Sequence, residues 1–114
     1  MITRRQAALW ATAMISFAGM GPALARAETH VVTIEGMAFA PATLTVKRGD
    51  SVVWRNKDLV PHTATATATG APKGHFDSGN IAAGKSWAHV MRTAGHLDYV
   101  CTYHPGMKAS LEVR

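Results

Sequence analysis

The sequence has a single cysteine in 114 residues, so no disulfide can form within one chain. It has no Gly-x-Ser-x-Gly elbow. Asp77 and Ser78 do stand beside His75, but they are too close in sequence to build a catalytic triad by themselves, which argues against a hydrolase. A Met-rich tract, an internal repeat and a low-complexity linker are all missing, which leaves room for one domain. The apolar run Ala7 to Met20 carries no charge but is too short to cross a bilayer. The basic excess is 12 Lys and Arg over 7 Asp and Glu, without a clustered basic face. Its densest group, Lys47, Arg48, Arg55 and Lys57, reads as a solvated edge, so nucleic acid is not an expected partner.

The N-terminus reads as an export signal. Thr3-Arg4-Arg5 is a basic start, Ala7 to Met20 is the apolar segment, and Ala23-Leu24-Ala25 and Ala25-Arg26-Ala27 are small-x-small cleavage sites. The Arg4-Arg5 pair partly fits a twin-arginine signal. Cleavage after Ala27 divides the chain into a signal peptide, 1–27, and a mature domain, 28–114. The loss of Arg4, Arg5 and Arg26 lowers the formal charge of +5 by three. The expected location is the periplasm. There an unpaired thiol is a liability unless it is used, and ligation to a metal keeps it deprotonated and capped.

The mature part is expected to be all-β. His30–Ile34, Thr43–Val46, Ser51–Asn56, Thr63–Thr69, Ser86–Met91, Gly95–Cys101 and Ala109–Val113 are short segments of β-formers with Gly, Pro and Asp between them. Such spacing indicates a β-sandwich or barrel. Met37 to Pro41 reads as a connection, Trp54 and Trp87 read as core, and Met37 reads first as core and second as part of an apolar patch around the metal. The period of two sets His62, Ala64 and Ala66 on one face, with Thr63, Thr65 and Thr67 on the other. Leu97, Tyr99 and Cys101 share a face in the same way.

The chemistry is concentrated in Cys101-Thr102-Tyr103-His104-Pro105-Gly106-Met107. A thiolate, an imidazole and a thioether stand at C-x2-H-x2-M spacing, and His62 supplies a second imidazole. One Cys, two His and a Met are the ligand set of a blue-copper site, the Met being the long axial ligand. An inward Cys ending one strand and an inward His starting another can meet at one pole of a sandwich. His104 and Met107 would follow Cys101 in a single loop joining the last two strands. A structural zinc site is the weaker reading, because Met is a poor zinc ligand. His30, His75, His89 and His96 lack ligand-type neighbours at useful spacing.

These motifs resemble the cupredoxins, and among them the amicyanin type. The resemblance rests on Cys101-Thr102-x-His104-Pro105-x-Met107, on Trp54-x-Asn56 leading to Pro61-His62, on Gly74-His75-Phe76-Asp77-Ser78-Gly79 and on Gly95-x-x-x-Tyr99-x-Cys101, and it covers nearly all of residues 30–114. It implies a Greek-key β-sandwich and one copper ion held by His62, Cys101, His104 and Met107. It implies that Asn56 bonds the ligand loop near Thr102, and that His104 reaches the surface through an apolar patch. Thr63 stands where the amicyanin type has Asn. His89 stands where the family prefers an apolar residue. The implied function is transfer of single electrons between redox proteins, such as a dehydrogenase donor and a c-type cytochrome or oxidase acceptor, by a monomer that is not an enzyme. A copper-delivery or tolerance protein is the alternative.

Overall fold

The computed structural model describes residues 26–66 and 74–114. The expected signal segment up to residue 25, and residues 67–73 with the second half of the Thr-Ala alternation, lie outside the described residues. Nine strands follow one another: β1 Thr29–Ile34, β2 Phe39–Ala40, β3 Thr43–Val46, β4 Ser51–Asn56, β5 Thr65–Ala66, β6 Phe76–Asp77, β7 Ser86–Val90, β8 Gly95–Cys101 and β9 His104–Val113. They form a four-stranded sheet of order β2-β1-β4-β7 and a five-stranded sheet of order β3-β9-β8-β5-β6. The chain passes repeatedly from one sheet to the other, giving the expected all-β sandwich.

Alternation in each strand decides what faces the core. In β4, Val52, Trp54 and Asn56 are buried while Arg55 is exposed. In β8, Leu97, Tyr99 and Cys101 are buried, as the period of two predicts. Leu111 and Val113 do the same from β9. Trp54 is the largest fully buried side chain, with ring centroids 5.1 Å from Phe76, 5.4 Å from Trp87 and 5.6 Å from Tyr99. Burial pushes the Tyr99 hydroxyl up to about 12.

Three expectations are corrected. Phe39–Ala40 is a short strand pairing with β1, not a connection. Met37 is exposed rather than core, because it occupies a tight turn between β1 and β2. Trp87 is half-buried: it covers the edge of the aromatic cluster and stacks on His89 at 5.3 Å. Thr63 and Thr65 are buried along with Ala64 and Ala66, and the threonine hydroxyls are hydrogen-bonded. Lys47, Arg48, Arg55 and Lys57 are exposed, as expected of a solvated edge.

Candidate metal centre

Two chain segments, remote in sequence, meet at one pole of the sandwich. The first runs from the end of β4 to β5 and carries His62. Asn56, buried at the end of β4, donates from Nδ2 to the Val60 carbonyl at 2.8 Å and to the Ile81 carbonyl at 2.9 Å, and its Oδ1 accepts from the Asp58 amide. His62 then pairs with Ile81 through two backbone hydrogen bonds of 3.1 and 2.8 Å. The segment is thus fixed on both sides by the protein's own hydrogen bonds. Asn56 organises the His62 loop and makes no bond to Thr102, contrary to what the resemblance implied.

The second segment is the β8–β9 hairpin. Val100 pairs with Lys108, and the register then shifts so that Cys101 faces His104. The hairpin is tighter than the sequence suggested, because β9 begins at His104 and not at Ala109. Cys101 therefore ends β8, while His104 and Met107 lie on β9 itself. An irregularity of this kind re-aims side chains where regular pairing would alternate them.

Thr63 ties the two segments together. Its hydroxyl accepts from the Thr102 amide at 2.9 Å and lies 3.1 Å from the Thr102 hydroxyl. Its own amide points at Cys101 Sγ, 3.4 Å away. Pro105 has no amide hydrogen to offer, and among the described residues the Thr63 amide is the backbone donor that reaches the sulfur.

The donors converge. One ligand atom each from His62, Cys101 and His104 lies within 4.8 Å of the others. Cys101 Sγ is 3.6 Å from His62 Nδ1 and 3.8 Å from His104 Nδ1. Donors so placed suit an ion bonded at about 2.0 Å to nitrogen and about 2.3 Å to sulfur with about 120° between bonds. His62 and Cys101 are wholly buried, and His104 is half-buried. Met107, three residues after His104, is buried with its side chain in the core. A soft sulfur with two imidazoles matches the preference of copper.

Asp58 is a functional residue that the sequence reading missed. Its Oδ2 lies 2.8 Å from His62 Nε2. With the carboxylate accepting from Nε2–H, the Nδ1 lone pair is left free toward Cys101. The same carboxylate accepts from the Gly36 amide at 2.7 Å and the Met37 amide at 3.0 Å. Those two residues form the turn from β1 to β2, closed by the Glu35 amide on the Ala38 carbonyl, and both have positive φ, 65° and 61°. Left-handed backbone is costly at a methionine, and the two amide bonds to Asp58 hold it there. The Met37 amide, then those of Gly36 and the His62 ring, keep the Asp58 carboxyl below its ordinary value against the opposing effect of burial. An acid four residues before a ligand histidine was the available signal.

The remaining histidines stand apart from this cluster. His30 contacts Asp50, His96 sits between Asp98 and Glu112, and His89 stacks on Trp87, with burial first and Arg92 second lowering its proton affinity. Asp77 and Ser78 serve the backbone: Asp77 accepts from Thr65 and the Gly79 amide, and Ser78 accepts from the Ala64 amide.

Comparison with known proteins agrees with this geometry. Residues 26–114 match the family model described as copper binding proteins of the plastocyanin/azurin family. Amicyanin of Paracoccus versutus is 29% identical over 107 residues, covering 91% of this chain and 81% of its own length. Chloroplastic plastocyanin of Tetradesmus obliquus is 38% identical over 77 residues, 61% of this chain and 52% of that protein. A solved amicyanin mutant in the Cu(I) state superposes with a TM-score of 0.69 at 28% identity, over 75% of this chain and 82% of the other. The chain thus belongs to the plastocyanin/azurin family of copper-binding proteins, as an amicyanin-like cupredoxin with one copper ion that carries electrons and is not an enzyme.

Proposed function

We propose that this chain is a periplasmic electron carrier in which His62, Cys101, His104 and Met107 would hold the copper. The observation that carries the reading is the convergence of three donors on one buried point. When bound, the ion supplies a reversible one-electron couple.

The residues do the rest. The Cys101 thiolate favours the reduced ion and the imidazoles of His62 and His104 support the oxidised one. Asp58 holds His62 in the tautomer whose Nδ1 can ligate. The Thr63 amide points at the sulfur, which tempers its donation. The hydrogen bonds of Asn56 and Thr63 fix both segments, so the donors need move little between redox states. Burial of His62 and Cys101 shields the sulfur and one imidazole from water.

His104 is the half-buried ligand and is the natural port for electrons. Exposed apolar side chains flank the donor segments: Tyr103 next to His104, Leu59 and Val60 before His62, and Met37 on the turn that Asp58 holds. Leu59 is 94% exposed. An apolar surface of this kind suits the small, brief contacts of redox partners, such as a dehydrogenase donor and a c-type cytochrome or oxidase acceptor. A monomer with no membrane segment after signal cleavage fits that traffic. The alternative, copper delivery or tolerance, calls for an exposed and exchangeable site, whereas His62 and Cys101 are 0% exposed.

The test is a visible and EPR spectrum of the 28–114 chain with one equivalent of Cu(II). An intense blue thiolate-to-copper band with narrow copper hyperfine splitting is expected. A pale solution with ordinary tetragonal copper signals would remove Cys101 from the site and with it the electron-carrier reading.

A further inference from the structure

At the pole remote from the metal centre, Asp50 is almost wholly buried, with 2% exposure. It precedes β4, and its carboxylate gathers donors from three places. Oδ2 accepts from the Lys47 amide at 3.0 Å and lies 2.9 Å from His30 Nε2. Oδ1 accepts from the backbone nitrogen of Glu28 at 2.9 Å. Glu28 is the residue at which the mature chain is expected to start. Its carbonyl is held by the Ser51 amide at 2.9 Å, and β1 begins at the next residue. Arg26 and Ala27, just before it, are exposed and belong to no strand. The bond between Ala27 and Glu28 is thus the last bond that can be cut before the fold begins, and cutting it breaks none of the sheet's hydrogen bonds.

We propose that export processing cuts between Ala27 and Glu28, and that the freed α-ammonium of Glu28 forms a buried-edge ion pair with Asp50 that locks the N-terminal strand of the mature protein. This rests on the export reading given above. The step is a hydrolysis by a signal peptidase. The Ala27 carbonyl carbon loses its bond to the Glu28 nitrogen and gains the hydroxyl of water. The water's remaining hydrogen goes to that nitrogen, and proton transfer leaves a carboxylate on the leader and an ammonium on Glu28. A neutral amide donor at 2.9 Å from Asp50 becomes a charged one at the same place. Charge-assisted hydrogen bonds are roughly twice as strong as neutral ones. A cut after Ala25 would instead leave Arg26 and Ala27 as an overhang, with the ammonium two residues away from Asp50 and the neutral amide still in place.

The groups around the new ammonium are the Asp50 carboxylate, the His30 imidazole from β1, Lys47 just after β3, Arg114 after β9 and the side chain of Glu28 itself, all of which line one cleft. An ammonium whose proton affinity is raised by Asp50 contributes stability that is fully present below the ordinary N-terminal value of about 7.7–8.0 and is lost as pH rises through its raised value.

The experiment exports the full chain from a bacterial host and determines its mass and location. It then compares thermal unfolding of four proteins between pH 6 and pH 11: the 28–114 chain, the same chain carrying one extra N-terminal Ala, Asp50→Asn, and Asp50→Asn with the same extra Ala. Expected are an exported protein beginning at Glu28, a Tm several degrees above that of the Ala-extended chain at neutral pH, and convergence of the two at high pH. In Asp50→Asn the same Ala extension should leave Tm unchanged. An exported protein beginning at another residue overturns the proposal, and so does an equal Tm for the two chains at neutral pH. A chain that stays uncut in the cytoplasm overturns it together with the export reading. The blue spectrum does not depend on the N-terminus and reports on the copper reading separately.

Discussion

Asp58 shows how one side chain can serve two neighbours. Its carboxylate lies 2.8 Å from His62 Nε2 and holds Gly36 and Met37 in left-handed backbone, so the proposed metal ligand and the β1–β2 turn share one side chain. Replacement by Ala leaves the His62 ring free to turn and the two amides without their partner. We expect Asp58→Ala to bind copper about 10–100-fold more weakly in competition with a chelator. Unchanged affinity would mean that Asn56 and Ile81 position His62 unaided. At this scale the approach of His104 to Cys101 was legible in the sequence because their spacing is local, whereas His62, 39 residues from Cys101, was placed beside them by strand periodicity and the family resemblance. Asp58 and the Thr63 hydroxyl were not legible, because their roles depend on partners far along the chain: Gly36 is 22 residues from Asp58, and Thr102 is 39 from Thr63.

Among the elements, β9 has two tasks. Its first residues carry His104 and Met107, and the remainder lies between β3 and β8 in the five-stranded sheet. Leu111 is wholly buried there. Leu111→Ala is expected to cost about 2–5 kcal/mol in chemical denaturation with an unchanged denaturant slope, while the blue spectrum of the folded fraction persists. Loss of the colour in the folded fraction would show that the core and the site are not separable. The sequence marked the longer strands well, through alternation in β4 and β8. It missed β2, since two residues carry no periodic signal, and it started β9 five residues late, since His-Pro-Gly reads as turn. Pairing with β8 overrides that local preference.

Across the whole molecule the two poles divide the work, with the metal donors at one and the Asp50 cluster at the other. The Glu28 amide foremost, then the Lys47 amide and His30, lower Asp50 from its ordinary 3.8 to about 2. A carboxylate lowered on folding contributes stability that is present above 3.8 and is lost as pH falls through about 2. Thermal unfolding should therefore show an acid limb across that window, and Asp50→Asn should flatten it. An unaltered limb would assign acid loss to other carboxylates. The place of β9 also joins two events. It pairs with β3, joining Thr43 to Ser110, and it brings two of the proposed ligands. Under the proposed ligand set, a chain in which β9 has not yet docked lacks half of its copper donors, so closing the five-stranded sheet also completes the metal site.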